Sequence, residues 1–93
     1  MKAQKPIRWN AEKNLELKQK RDVSFEEILS AIEQGGLMLT LDHPNQERYP
    51  NQRVWVVSFR DYAHLVPFVE TDDEVFLKTI MPSRKATKQF LGE

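Results

Sequence analysis

The chain predicts an α+β fold: a compact antiparallel sheet packed against two N-terminal helices, with a short C-terminal helix. Three observations carry this. Ser24-Phe25-Glu26-Glu27 opens an apolar stripe, Phe25, Ile28, Leu29 and Ile32, at helical spacing. Val54 to Phe59 is β-branched and aromatic, and a two-residue turn, Arg60-Asp61, joins it to a second such run, Tyr62 to Val69. Pro82-Ser83 then ends the strand region and caps a final helix, Arg84 to Leu91.

The order along the chain reads β-α-α-β-β-β-β-α in a single domain, residues 1–93. Ile7-Arg8-Trp9 alternates as a short strand does, and Asn10 suits an N-cap with Glu12 in the first turn behind it. Residues 11–20 hold good helix formers without Gly or Pro; Lys13, Leu17 and Lys20 share one face, which reads as solvated. Gly35-Gly36 closes the second helix by a left-handed cap. Leu37 to Asp42 is a strand, and His43 to Gln52, with two prolines and two asparagines, is a loop. Apolar groups on both sides of Val54 to Phe59 require cover on both faces. Pro67 predicts a bulge or an edge in the Tyr62 strand. Thr71-Asp72-Asp73 turns the chain into a last strand, Glu74 to Met81.

Composition excludes several chemistries. With no cysteine there is no disulfide scaffold, thiolate metal site or cysteine nucleophile, and His43 and His64 cannot form a multi-histidine cage. No Gly-rich phosphate loop exists among three glycines. No apolar run reaches the length of a membrane span, and Met1 to Trp9 is basic without the apolar stretch of a secretory signal. A cytoplasmic protein with no membrane partner, metal or cofactor is expected. Asp72-Asp73-Glu74 reads as a solvated turn.

Net charge is zero, yet unevenly spread. Residues 1–21 carry seven basic against two acidic side chains, residues 22–77 three against eleven, and residues 78–93 four against one. If the fold joins the two ends, a neutral protein gains a cationic patch. Lys13, Lys20 and Arg21 would come from the first helix; Arg84, Lys85 and Lys88 from the last, whose N-terminus adds amide donors. With Trp9 and Tyr62 these groups suit single-stranded RNA, cations for phosphate and rings for bases. His64 shares a strand face with Tyr62, Val66 and Phe68, where a lone histidine is commonly structural.

Asn10 after Trp9, then Lys13-Asn14, a basic end at Lys20-Arg21 and Val23-Ser24-Phe25-Glu26-Glu27 resemble the opening of the BrnT-type toxin family. That pattern runs Trp-Asp/Asn-x-x-Lys-Asn, a spacer, Lys-His-Gly and a Val-Ser-Phe-Glu-Glu-like helix start. Its ending, a strand followed by Ser-x-Arg-x-Ala-(Ser/Thr)-(Lys/Arg), is similar to Ser83-Arg84-Lys85-Ala86-Thr87-Lys88. The resemblance spans Ile7 to Leu91 in order and spacing. Two departures stand out: the family's His-Gly is Arg21-Asp22, and a basic residue of the last strand falls near Thr79, one place from Lys78.

The resemblance implies a RelE-like ribonuclease toxin of a type II toxin–antitoxin pair. It implies metal-independent endoribonuclease chemistry, in which a ribose 2′-OH attacks the adjacent phosphorus. Fixed cations must stabilise charge on the phosphate oxygens, and side chains must move protons. The expected catalytic set is Arg84, Lys20, Lys78 and His64; the expected RNA-binding set is Lys13, Arg21, Lys85, Lys88, Trp9 and Tyr62. The implied partners are an RNA substrate and a small antitoxin, with operator DNA bound only through the antitoxin. The rival expectations are a catalytically inactive module acting through its partner, and an accessory domain without nucleic-acid affinity.

Overall fold

The computed structural model describes residues 5–92; Lys2, counted in the basic amino-terminal segment, and Glu93 lie outside the described residues. The elements are β1 (Ile7–Trp9), α1 (Ala11–Arg21), α2 (Phe25–Glu33), β2 (Leu37–Asp42), β3 (Gln52–Phe59), β4 (Tyr62–Glu70), β5 (Val75–Leu77), β6 (Met81–Pro82) and α3 (Arg84–Leu91). All six strands join one sheet of order β1-β5-β4-β3-β2, with β6 paired to β4.

The sheet is mixed rather than purely antiparallel. The α1–α2 pair carries the chain from one edge of the sheet to the other, and the β2–β5 meander walks it back. β5 therefore settles beside β1 and runs parallel to it, Ile7 opposite Val75 and Trp9 opposite Leu77.

Local chemistry sets the turns. Ser24 Oγ accepts from Glu27 N at 3.1 Å, and Glu27 Oε1 accepts from Ser24 N at 3.0 Å, a complete capping box. At the far end of α2, Gly35 takes φ +92, its amide donates to Ile32 O, and Gly36 N donates to Ala31 O at 2.8 Å. This is the Schellman closure. Gly36 also sits against β3: a Cβ there would lie 2.8 Å from both Ala31 O and Ser58 O. Arg60 and Asp61 adopt φ +57 and +62, the left-handed pair that lets strands twist correctly through a two-residue hairpin.

The expected strand Glu74 to Met81 is instead two short strands around a bulge. Leu77 pairs with Phe68 and Met81 with Leu65, so Lys78, Thr79 and Ile80 stand opposite only Val66 and Pro67. Pro67 lies within a central strand, paired to Val54 on one side. Toward the bulge it has no N–H to give, and its carbonyl accepts from Lys78 N at 2.8 Å. The irregularity expected in Pro67's own strand is absorbed by the neighbour. The extra residue resets the facing, so Leu77 and Ile80 both point inward, 1% and 0% exposed. The strand region does end at Pro82, which is the last residue of β6 and pairs with His64.

Both faces of the sheet are covered, as β3 required: adjacent Val56 and Val57 are each fully buried. One face holds the larger core, with Leu17, Phe25 and Ile28 from the helices and Val23 from their joint against Val57, Val66, Phe68, Leu77 and Ile80. Each fully buried aromatic or aliphatic side chain here contributes about 2–3 kcal/mol. The other face carries α3 over a smaller cluster, Val56, Ala63 and Ala86, bordered by half-buried Met38, Leu39, Leu65 and Phe90. The first helix is less solvated than its composition implied. Asn14 and Leu17 form a buried seam at i, i+3. Asn14 Oδ1 accepts from Phe25 N and its Nδ2 donates to Glu26, both at 2.8 Å, which locks α1 to the start of α2.

Candidate functional site

The two basic ends reach one stretch of the sheet from opposite faces. Arg21, the last residue of α1, donates from Nη1 to Ile80 O at 2.7 Å, just before β6. α3 begins two residues after Pro82 and is tied to the same strand end from the other face. Ser83 N donates to Ala63 O at 2.9 Å, and Thr87 Oγ1 accepts from Ala63 N at 2.8 Å while donating to Ser83 O at 2.7 Å. The short segment Ile80 to Ser83 thus separates the end of α1 from Arg84. Lys20 and Arg84 belong to helices on opposite faces, and it is Arg21 that makes the link.

His64 lies between them, on the α1–α2 face of β4 and opposite Pro82. It is 9% exposed. Its Nδ1 is 3.0 Å from Tyr62 O. A carbonyl only accepts, so Nδ1 donates and the neutral ring carries its lone pair on Nε2. Nε2 makes no hydrogen bond among the described residues. No fully buried side-chain nitrogen or oxygen among the described residues lacks a partner, so Nε2 is not sealed off completely. Burial holds the His64 pKa below its usual 6.5; the Arg60 charge pushes the same way, against the Tyr62 carbonyl.

The ring is held from the side. Phe59 meets it edge-on with centroids 5.5 Å apart, and Tyr62 does so at 6.0 Å. Arg60 lies over Phe59, 4.6 Å from its centroid. Arg60 in turn donates to Asp22 O at 2.8 Å and to Glu27 Oε2 at 3.1 Å. The hairpin tip, the α1–α2 joint and His64 are therefore one connected unit. A groove of about 500 Å³ between α2 and the hairpin shares Phe59 and Arg60 with it. Phe59 and Arg60 were missed in the sequence. Their only signal was a turn dipeptide, and the stacking depends on which face the next residues occupy.

The remaining candidates separate into two groups. Lys78, Arg84, Lys85 and Lys88 are exposed and enter no ion pair among the described residues. α3 has no acidic residue in its first turn, so its free amides add to that positive potential. The α1 group is more committed. Lys20 Nζ is 3.0 Å from Glu16, and Lys13 Nζ is 3.8 Å from the same carboxylate. Trp9 is half-buried and stacks on Phe25 at 5.4 Å, so the fold uses one ring face. Tyr62 stays half-exposed at the hairpin.

Chemically, this region offers a neutral imidazole with an unpaired Nε2 on the α1–α2 face and, on the α3 face, cations without counter-charge among the described residues and a helix N-terminus. That set can accept a proton at neutral pH and hold an anion. Among the described residues no group of three or more His, Cys, Asp or Glu side chains is placed to hold a metal ion, and no helix is long and apolar enough to cross a membrane. No family model matches the sequence, and neither a curated protein nor a solved structure matches it significantly.

Proposed function

We propose that the protein is the toxin of a type II toxin–antitoxin pair, a metal-independent endoribonuclease acting in the cytoplasm and neutralised by a small antitoxin. The observation that carries this reading is neutral His64, opposite Pro82 in the sheet, with Arg84, Lys85 and Lys88 following directly on the other face without counter-charges among the described residues. In this reading His64 Nε2 takes the proton of a ribose 2′-OH. The oxygen attacks phosphorus, the bond to the 5′ oxygen breaks, and that oxygen leaves with a proton from water, to which His64 then returns its own. The products are a 2′,3′-cyclic phosphate and a 5′-hydroxyl. Arg84 and the α3 amides bear the charge that grows on the phosphate oxygens, with Arg21, Lys20 and Lys78 at the margin. Lys13, Lys85, Lys88 and Tyr62 guide the strand, and Trp9 contributes only its free edge. Operator DNA is assigned to the antitoxin.

The test is purified protein with single-stranded RNA in EDTA. Cyclic phosphate ends are expected. Arg84→Ala should cut about 100-fold more slowly, the usual cost of one positioned donor. His64→Gln should lose about 100-fold or more, as removal of a general base does. Unchanged cutting by both folded variants overturns the assignment.

A second reading, an inactive module that acts through its partner, is favoured by the fold's own use of Trp9, Lys13 and Arg21. RNA left whole by a protein that still forms a stable partner complex would select it.

A further inference from the structure

β2 is an open edge of the sheet, paired only to β3 and six residues long, against three for β1 at the other edge. It lacks proline and lysine, the usual guards of an edge, and carries no charge before Asp42. Its Met38, Leu39 and Leu41 face the α3 side; Leu41 is 42% exposed. There an apolar groove of about 260 Å³ runs between the strands and α3, lined by Leu41, Val56, Leu65, Ala86 and Phe90, with Lys85 on its rim. Lys85, Arg84 and Lys88 have no carboxylate partner among the described residues.

We propose that β2 and the α3 groove form one docking surface for an acidic, extended segment of a partner protein. The segment adds to β2 as a further strand and lays alternate apolar side chains against Leu39, Leu41 and Phe90. Edge amides supply affinity, the groove supplies register, and the lone cations select acidic flanks. A second copy of this chain fits poorly. A twofold contact through this patch would set each α3 cation row against its own copy. RNA fits the cations but leaves the aliphatic groove unused. The surface does not require ribonuclease activity. A segment seated there covers Lys85 and competes with RNA for α3.

Selection of random short peptides displayed on phage against the purified protein tests this. The enriched pool should alternate Asp or Glu with apolar residues. A peptide from it should slow hydrogen exchange at alternate β2 amides and bind about tenfold more weakly to Leu41→Lys and to Lys85→Glu. No enrichment, enrichment of basic sequences, or unchanged binding to Leu41→Lys overturns the proposal. So does β2 protection that arises from self-association, or that RNA alone reproduces. Leu41 lies two strands from His64 on the opposite face, so Leu41→Lys should cut RNA as the parent does. Peptide binding by a parent that cuts nothing would sink the nuclease reading and leave this one standing.

Discussion

The proposed role of His64 as a base needs a neutral ring, and burial, with help from Arg60, favours that form. The same burial links the residue to stability. The unfolded chain binds a proton at His64 near pH 6.5, whereas the folded ring binds it only at lower pH. Stability is therefore complete above about pH 6.5 and is lost as pH falls from there through the folded pKa. Glu16, Glu26 and Glu70 have lowered pKa values, held mainly by hydrogen bonds from Lys20, Asn14 and Lys5. Their contributions are present above about pH 4.5 and fade only below it, a separate window. His64→Gln should flatten the pH dependence of the urea midpoint between pH 8 and 5 and leave the acid limb alone. Parallel curves for parent and variant would show that His64 is free to charge. In the sequence the residue could be placed on a strand face, but its neutrality comes from Phe59, Arg60 and Pro82, whose packing no local pattern records. Asn14 is a similar case: a polar side chain on a polar helix gave no sign that it braces the next helix.

Where an element is decided within a few residues, the sequence was enough. The capping box at Ser24, the glycine closure of α2 and the Arg60-Asp61 hairpin each follow from backbone groups that need a partner or a positive φ. Elements decided by distant pairing were less legible. Three residues of β1 carry no mark of the strand they will join. Pro67 announced an irregularity in its own strand, yet the neighbouring segment Lys78 to Ile80 holds it. The start of α3 shows how local and distant chemistry combine: Ser83 caps the helix, while Thr87 satisfies a β4 amide. Thr87→Val keeps the shape but leaves Ala63 N buried without an acceptor, a cost of about 1–3 kcal/mol. Thr87→Ser keeps the hydroxyl and should cost less. Denaturant midpoints for the pair, read with proteolysis at the basic residues of α3, check the assignment. A serine variant as unstable as the valine one would mean that the methyl, not the hydrogen bond, holds α3.

At the scale of the molecule, zero net charge means that the RNA of the proposed function would have to be held by local imbalance, not by overall attraction. The uneven spread was visible in the sequence; which cations had partners was not, because pairing depends on the register of α1 and the face taken by α3. Glu16 answers both Lys13 and Lys20, whereas nothing among the described residues answers Arg84, Lys85 and Lys88. A cation already paired gains less from a phosphate than one facing water. Each phosphate neutralised on a single strand adds about 0.7 to the slope of log affinity against log salt. Changing Arg84, Lys85 and Lys88 together to alanine should therefore flatten that slope by about 2. Changing Lys13 and Lys20 should flatten it by less than half as much. Fluorescence anisotropy of a labelled single-stranded oligonucleotide across a salt series measures both. Equal changes would mean that the paired cations of α1 hold the strand as firmly as the uncompensated cations of α3.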